Sequence, residues 1–372
     1  MSSEVSIVKC ADYSSPCAEQ AIRRAIDLLG GIDKFVKPRS RVLVKPNLLA
    51  AREPESGIVT HPEIVRAIIH LLKEIEVQVY LGDSPNASID DAQEIDSVWE
   101  KSGIKQVARE EGVELVRFNQ SRWHKRFPLT TWLNELDYFI SLPKFKTHDL
   151  TILTGAIKNL FGLIPGKYKI ELHKNFSTPL NFSRMLVDLY EIAKPTLTIV
   201  DGVLALEGEG PGSKAEKRNL GLIVAGVDCV SVDSILALIM GLNPEDILTT
   251  KEAAARNLGN ARVKDIRILG GELSSFISRP FKLPKTSFKY SIPAFIVKSV
   301  GKLIRFYPVI DLNLCLRCNA CVRICPEKVI KEKDGDMIID YPGCIACFCC
   351  QEVCLCAAIS ISKSILAKLL RL

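Results

Sequence analysis

The sequence predicts an α/β fold, in which helices cover both faces of a mostly parallel sheet, followed by a small α+β domain that is rich in cysteine. Two observations support this prediction. Residues 1–278 alternate short β-rich apolar runs with longer amphipathic segments, an order that is typical of α/β proteins. Ten of the 13 cysteines then fall between residues 315 and 356, and such crowding favours a metal site over a disulfide framework.

The first 278 residues contain eight predicted strands and five predicted helices. A strand that is followed by a helix can return to a parallel neighbour through a right-handed crossover, and this favours a parallel sheet. The predicted strands are residues 5–10, 41–44, 77–81, 113–118, 138–142, 196–200, 220–225 and 265–269. The predicted helices are residues 16–29, 62–74, 182–193, 230–240 and 244–257.

Four loops at the predicted carboxyl edge of the sheet carry polar or cationic residues. K-P-N begins at residue 45 after the second strand, G-D-S-P at residue 82 after the third, P-K-F-K-T-H at residue 143 after the fifth, and D-G at residue 201 after the sixth. Ligands of open α/β sheets bind at this edge. Residues 151–174 hold few acids and several glycines and lysines, and we expect this stretch to close over the loops.

Side chains at this edge are candidates for binding a phosphate or a carboxylate, because ammonium groups and oriented backbone N–H groups attract anions. The alternative is that the lysines are merely solvated. The candidate cofactor-binding residues are Lys45, Asn47, Ser84, Lys144, Lys146, Thr147, Lys158, Asn159 and Lys167.

His148, His61 and Asp83 are the candidate catalytic residues. A histidine whose pKa lies near neutrality can move the proton that accompanies electron transfer, and His173 is a third histidine of this kind. His61 can equally start a helix before Pro62. Asp83 can be a base, a metal ligand or a helix cap.

The cysteine-rich segment contains one ligand spacing twice. Residues 315–326 read C-x2-C-x2-C-x3-C-P, and residues 344–354 repeat the spacing of the four cysteines. Residues 311–361 therefore resemble a bacterial-type ferredoxin with two 4Fe–4S clusters, in which three close thiolates hold one cluster and the fourth reaches the other. By that pattern, one cluster takes Cys315, Cys318, Cys321 and Cys354, and the other takes Cys344, Cys347, Cys350 and Cys325.

A pair of zinc knuckles is the alternative interpretation, although zinc sites normally use two separated pairs of ligands. Leu355 departs from the ferredoxin pattern, because proline usually follows the last ligand. Cys349 and Cys356 are further thiols beside the second cluster. They could be bystanders, alternative ligands or groups that modify the cluster potential.

The formal net charge of +6 comes from the end of the chain. Seven cations and no acids lie between residues 279 and 310, and three more cations lie beyond residue 360. Residues 1–278 hold slightly more acids than cations. Nucleic acid is therefore not an expected partner, because a binding face would need lysines and arginines clustered on the folded domain.

The 372 residues divide into four predicted parts. These are a ligand-binding α/β domain at 1–278, a basic connector at 279–310, the two-cluster domain at 311–361 and an amphipathic tail at 362–372. Residues 292–306 and 364–372 could contact an anionic bilayer, or the first could be a strap packed on the body. No export signal or long apolar run is present, so a soluble, cytoplasmic protein is expected.

Motifs of the α/β part resemble a known family. They are T-H-P at 60–62, P-K-F-K-T-H at 143–148, T-G-A-I-K-N-L-F-G at 154–162, I-P-G-K at 164–167, D-G-V-L-A-L-E-G-E-G-P at 201–211 and V-D-S-I-L-A-L-I-M-G-L at 232–242. This pattern looks like the domain-of-unknown-function 362 family over roughly residues 1–275, whose members are often fused to ferredoxin modules. The resemblance implies an α/β domain in redox metabolism, commonly of anaerobes, and implies no particular substrate.

These features predict an iron–sulfur oxidoreductase that passes electrons between two 4Fe–4S clusters and a phosphorylated aromatic or flavin-type ligand such as FMN. A flavin is attractive because it joins one-electron carriers to two-electron chemistry. One version is the anaerobic oxidation that matures a flavin cofactor such as prenylated FMN. The alternative is a non-catalytic electron-transfer adaptor that docks a partner redox enzyme. Either version expects an external electron donor or acceptor protein.

Overall fold

The structure is a computed structural model that describes residues 3–85, 92–287 and 306–364. We call residues 3–287 the α/β body and residues 306–364 the small domain. Most of the predicted basic connector, nearly all of the predicted amphipathic segment at 292–306, and the tail from residue 365 lie outside the described residues. Within the described part of the chain, no helix is long and apolar enough to cross a membrane.

The strands form one large sheet in the body and short two-stranded ribbons elsewhere. In chain order they are β1 (Ser3–Lys9), β2 (Arg41–Lys45), β3 (Gln78–Leu81), β4 (Glu114–Leu115), β5 (Ser121–His124), β6 (Phe127–Thr130), β7 (Tyr138–Ser141), β8 (Lys144–His148), β9 (Ile152–Thr154), β10 (Leu197–Gly208), β11 (Ala215–Gly226), β12 (Ile266–Leu269), β13 (Phe306–Ile310), β14 (Ile330–Lys333), β15 (Asp336–Ile339) and β16 (Ile359–Lys363).

The large sheet has ten strands, eight of them in the order β12-β1-β11-β10-β7-β2-β3-β4. Strand β8 pairs with β10 and β9 beside this path. Strand β11 runs antiparallel to β1 and β10, and β9 runs antiparallel to β8. The other six pairings are parallel, so the predicted mostly parallel sheet is confirmed.

The helices of the body lie on both faces of this sheet. Leu43 of β2 belongs to one buried apolar cluster, and its neighbours Val42 and Val44 belong to another, as expected for side chains that alternate along a strand. The helices are α1 (Ser15–Leu28), α2 (Pro62–Lys73), α3 (Ala92–Lys101), α4 (Ile104–Glu111), α5 (Trp132–Glu135), α6 (Ala156–Asn159), α7 (Gly166–Asn175), α8 (Pro179–Ile192), α9 (Cys229–Met240), α10 (Leu248–Ala255), α11 (Ala320–Ile324) and α12 (Cys349–Val353).

The main difference from the predicted fold lies at residues 143–148, which we expected to be an edge loop. Lys144–His148 forms strand β8, and all five residues are buried. The polar sequence K-F-K-T-H is typical of an exposed loop, but its polar side chains contact other groups inside the protein. The predicted helix at 244–257 is also shorter, because Pro244–Asp246 forms a separate 3-10 turn and α10 begins only at Leu248.

The small domain has two antiparallel ribbons, β13 with β16 and β14 with β15. Its two short helices, α11 and α12, each begin after the second cysteine of a half-motif and contain the third, Cys321 or Cys350. Its buried cluster consists of aliphatic side chains and cysteines. The predicted α+β character of this domain is therefore confirmed.

Candidate functional site

Two cavities of the small domain are each bordered by four cysteines of the two half-motifs. One, of about 350 Å³, is bordered by Cys325, Cys344, Cys347 and Cys350. The other, of about 340 Å³, is bordered by Cys315, Cys318, Cys321 and Cys354. We call them the inner and the outer cavity. The two groups are those that the spacing predicts, and four thiols in a mainly apolar shell suit a 4Fe–4S cluster.

The backbone explains how the two half-motifs wrap their cavities. Two residues after the first cysteine of each half-motif, Arg317 and Ala346 have positive φ angles of 52° and 53°. Two residues later, Asn319 and Phe348 have φ angles of 58° and 60°. These left-handed turns lead into α11 and α12. Non-glycine residues rarely adopt this conformation, so its repetition shows that the two half-motifs share one backbone path.

The two additional thiols lie in different places. Cys356 borders the outer cavity, with its Sγ 3.7 Å from that of Cys354. The expectation that it lies beside the second cluster is therefore wrong. Cys349 borders neither cysteine cavity but faces a third cavity between the small domain and the body.

The small domain is tied to the body through the backbone that follows α12. Arg52 donates hydrogen bonds to the carbonyl oxygens of Leu355 and Cys354 at 3.2 and 3.1 Å. Ser213 donates to the same Cys354 oxygen at 2.8 Å. A more exposed ion pair joins Lys174 to Glu327 at 3.3 Å. The last predicted cluster ligand is thus held directly by side chains of the α/β body.

Glu352 of α12 reaches into the body, where its Oε1 lies 3.1 Å from Nε2 of His148. Burial opposes ionisation of this carboxyl, but His148, Lys158 and His173 outweigh burial and lower its pKa to about 2. The sequence offers no signal for this contact, because residues 148 and 352 belong to separate predicted domains.

His148 is fully enclosed and has a defined tautomer. Its Nδ1 accepts a hydrogen bond from the backbone N–H of Leu150 at 3.0 Å, so in the neutral ring the proton sits on Nε2 and faces Glu352. Burial lowers the pKa of His148 to about 4, and Lys158 acts in the same direction. The ring is therefore neutral at pH 7, and the near-neutral pKa that motivated its catalytic role is absent.

Three of the predicted binding lysines are buried rather than solvated. Lys45 Nζ lies 2.7 Å from Asp83 Oδ1, and Lys144 Nζ lies 2.7 Å from Asp201 Oδ2. Burial lowers the pKa of both lysines, and each carboxylate partner opposes that effect. These ammonium groups already have protein counter-charges, as buried ions require.

Lys146 differs because it has no carboxylate partner at hydrogen-bond distance in the described part of the chain. Its Nζ donates to Asn47 Oδ1 at 2.7 Å and to the carbonyl oxygen of Ile58 at 2.6 Å. Burial lowers its pKa well below the ordinary value. Asn47 therefore holds a lysine, and its Nδ2 donates to Asn159 Oδ1 at 3.1 Å.

The remaining candidate binding and catalytic residues mostly hold the backbone of neighbouring loops in place. Thr147 Oγ1 donates to the carbonyl oxygen of Gly208 at 2.9 Å. Asp83 Oδ2 accepts from the backbone N–H of Leu48 at 2.7 Å, so its two oxygens bind a lysine and a neighbouring loop. Within the described residues, no three His, Cys, Asp or Glu side chains stand close enough to hold a single metal ion.

His61 starts a helix, which was the alternative to a catalytic role. Its Nδ1 accepts from the backbone N–H of Glu63 at 3.2 Å, at the beginning of α2. Its ring stacks on Tyr13 with the centroids 3.7 Å apart. Burial lowers the pKa of His61 to about 4.

The third cavity, which we call the interdomain cavity, encompasses about 570 Å³ of space, part of which is open to solvent. On the side of the body it is lined by candidate binding residues from the sequence analysis, by the loop after β3 and by α7. On the side of the small domain it is lined by α11 and α12. Its polar lining residues are Asn47, Asp83, Ser84, Lys158, Asn159, Lys169, His173, Cys349 and Glu352. The side chain of Lys167 lies outside the described residues.

This cavity is also lined by Lys169, which was not a candidate binding residue, and by His173, which the sequence offered only as a third proton-transferring histidine. Lys169 Nζ donates to the carbonyl oxygens of Ser84 and Pro85. His173 stacks on Phe182 with centroids 4.7 Å apart, and its buried Nδ1 has no hydrogen-bond partner among the described residues. Their spacing of four residues on α7 was the available signal, because it places both on one helical face.

Gly162 explains why the loop after α6 can approach the lysine pair. A Cβ atom there would come within 2.2 Å of Asp83 Oδ1 and within 2.5 Å of Lys45 Nζ. Its carbonyl oxygen also accepts from the backbone N–H of Ser84 at 3.1 Å. Only a glycine fits this close approach.

Comparison with known proteins agrees with this architecture. The model for a domain of unknown function, DUF362, matches residues 42–237, and the model for a 4Fe–4S dicluster domain matches residues 307–355. The second match supports iron–sulfur clusters over the zinc alternative. The thylakoid-associated protein sll1697 of Synechocystis sp. is 32% identical over 296 residues, which cover 78% of this chain and 88% of that protein.

Two further similarities are more limited. Pyruvate synthase subunit PorD of Methanocaldococcus jannaschii is 35% identical over 60 residues, 16% of this chain and 70% of that protein. The lactate racemase apoprotein of Thermoanaerobacterium thermosaccharolyticum aligns with a TM-score of 0.40 and 11% identity, over 65% of this chain and 58% of that one. The family match and the long sll1697 alignment together show that the chain belongs to the domain-of-unknown-function 362 family and carries a 4Fe–4S dicluster domain after it.

Proposed function

We propose that this protein is an iron–sulfur oxidoreductase that exchanges electrons between two 4Fe–4S clusters and a small ligand in the interdomain cavity. The observation that carries the proposal is the composition of that cavity. One wall comes from the carboxyl edge of the α/β sheet, and the other comes from α12, which bears the predicted cluster ligand Cys350. A ligand held there would touch both functional parts of the chain.

The predicted cysteines would hold the clusters, with Cys315, Cys318, Cys321 and Cys354 at the outer cavity and Cys325, Cys344, Cys347 and Cys350 at the inner cavity. When bound, such clusters supply one-electron transfer at potentials that their surroundings tune. Ile324, Val353 and Phe161 line the apolar part of the interdomain cavity.

The ligand that we propose is a phosphorylated aromatic or flavin-type compound. Lys158 and Lys169 would attract an anionic group. The unpartnered Nδ1 of His173 would meet a polar group of the ligand. Lys45, Lys144 and Lys146 would act indirectly, by fixing the loops.

The more specific version is the anaerobic oxidation that matures a flavin cofactor such as prenylated FMN. Its support is chemical, because a flavin converts between one-electron and two-electron steps. This version needs an external protein that removes the electrons, and it predicts that a flavin binds in the interdomain cavity.

An anaerobic sample reconstituted with iron and sulfide tests the proposal. We expect about eight irons per chain, four for each cluster, and binding of FMN in a calorimetric titration. Lys158→Ala should weaken FMN binding about tenfold, the loss of about 1.4 kcal/mol. Lys251→Ala removes an exposed lysine of α10 and should leave the affinity unchanged. Full cluster content without any flavin binding would contradict the flavin assignment.

The adaptor alternative is favoured by a different observation. Leu314, Leu316 and Leu355 are exposed and each adjoins, in the chain, a cysteine that borders the outer cavity. Cys318 of that cavity is exposed as well. Large exposed apolar side chains that lie together often mark protein contacts. In the adaptor version this surface would meet a redox protein and the interdomain cavity would bind nothing, so the FMN titration separates the two.

A further inference from the structure

Two cysteines of the α/β body form a close pair far along the chain from the predicted cluster ligands. Cys10 follows β1 directly, and Cys17 lies in the first turn of α1. Their Sγ atoms are 3.8 Å apart. Cys10 is buried and Cys17 is partly exposed.

The two thiols differ in how accessible they are to a dissolved reagent. Burial raises the pKa of Cys10 to about 12, and the neighbouring Cys17 adds to this effect. Cys17 is partly exposed in the first turn of α1 and can be reached from solvent. Cys17 is therefore the thiol that reacts first with a dissolved reagent, and Cys10 is the one placed to follow.

We propose that Cys10 and Cys17 are a redox-active dithiol, separate from the iron–sulfur clusters, that closes to a disulfide by exchange with a low-molecular-weight disulfide such as glutathione disulfide. The Cys17 thiolate attacks one glutathione sulfur, forming a mixed disulfide and releasing one glutathione thiolate. Cys10 then attacks the Cys17 sulfur and releases the second glutathione. Two protein thiols are oxidised, one glutathione disulfide is reduced, and the two thiol protons leave with the glutathione molecules.

The geometry requires only a local movement. A disulfide bond is about 2.05 Å long, so the two sulfurs must approach by about 1.8 Å. The six residues between the two cysteines form the turn into α1, and the cysteine side chains lie at its two ends. Rotation of these side chains and adjustment of the turn can supply such a shift.

A disulfide between Cys10 and Cys17 would constrain the turn that joins β1 to α1. The turn carries Tyr13, whose hydroxyl donates to Asp201 Oδ1 at 2.8 Å and accepts from Lys144 Nζ at 2.7 Å. Closing the disulfide tethers this turn beside the buried Lys144–Asp201 pair. The oxidation state of the dithiol is thereby linked to the carboxyl edge of the sheet.

The tryptic peptide of residues 10–23 makes the test direct, because it contains both cysteines and no others. The full chain, with its clusters reconstituted, is equilibrated without oxygen over a series of glutathione to glutathione disulfide ratios. It is then quenched with acid, labelled with N-ethylmaleimide under denaturing conditions and digested without reduction. We expect the peptide to change from a doubly labelled form to an unlabelled form that is about 2 Da lighter than the dithiol.

Two controls accompany this measurement. The peptide that carries Cys229, a buried thiol beside Thr198, should keep its single label throughout. Cys17→Ser replaces the partly exposed partner, and Cys10 should then remain labelled at every ratio. The proposal is overturned if the wild-type peptide keeps two labels at the most oxidising ratio. It is equally overturned if a glutathione adduct persists on Cys17 while Cys10 stays labelled.

Discussion

The two cysteine half-motifs share one spacing and one backbone path, yet their surroundings differ. Around the outer cavity, Cys318 is exposed and the neighbouring Leu316 is 71% exposed. Around the inner cavity, Cys347 and Cys350 are buried, and α12 faces the interdomain cavity. The surroundings of the outer cavity are therefore exposed, and we call them the open side. The surroundings of the inner cavity are buried, and we call them the covered side. This difference suits a relay with an external partner at one end and an internal ligand at the other.

The largest effect is expected from removing one predicted ligand on each side. Cys318→Ser and Cys350→Ser should each lower the iron content from about eight to about four, because each removes a thiolate from one cluster. Only Cys350→Ser should also lower the unfolding temperature markedly, since its side chain belongs to the buried core of the small domain. Iron analysis and thermal unfolding of both variants measure this. Equal losses of stability would contradict the difference between the two sides.

The open side is tested next by Leu316→Asp. A charge in the exposed apolar surface should slow electron exchange with a protein carrier by about tenfold, because it disfavours the apolar contact. Stopped-flow reduction by a photoreduced two-cluster ferredoxin measures this rate. Reduction of the same variant by dithionite, which needs no protein contact, should be unchanged. A Leu316→Asp rate equal to wild type with the ferredoxin would show that the carrier approaches elsewhere.

Short-range spacing accounts for three members of each predicted cysteine group, and the fourth member of each follows from the resemblance to two-cluster ferredoxins. Cys315, Cys318 and Cys321 must lie near one another in any fold that the intervening residues allow. The environments of the two groups depend instead on long-range packing. Glu352 meets His148 only because α12 docks on the body, and nothing in either local sequence records that contact.

The lysines show the same limit in the α/β body. The rhythm of strands and helices predicted the carboxyl edge and placed Lys45 and Lys144 there. It did not predict that Asp83 and Asp201 would neutralise them in the interior. Residues 144–148 were expected to be a loop for the same reason, because polar composition normally indicates exposure. These residues are nevertheless buried, because their polar side chains have partners inside the protein.

The covered side is tested by comparing two glutamates at the domain interface. Glu352→Gln removes the charge that faces His148, Lys158 and His173, and we expect it to lower the free energy of unfolding by about 1–3 kcal/mol. Glu327→Gln breaks the more exposed pair with Lys174, and its effect should be no more than about 1 kcal/mol. Urea unfolding monitored by tryptophan fluorescence measures both. Equal effects would contradict the buried role of Glu352.

The smallest effects should separate the two additional thiols. Cys356 borders the outer cavity, so Cys356→Ser should shift the potential of one cluster by a few tens of millivolts without affecting FMN binding. Cys349 borders the interdomain cavity, so Cys349→Ser should change the affinity for FMN about threefold while both variants keep their iron. Potentiometric titration followed by electron paramagnetic resonance measures the first effect, and calorimetry measures the second. If Cys356→Ser changed the FMN affinity and Cys349→Ser changed a cluster potential, Cys356 would act on the ligand and Cys349 on a cluster. The open and covered sides would then be coupled rather than separate.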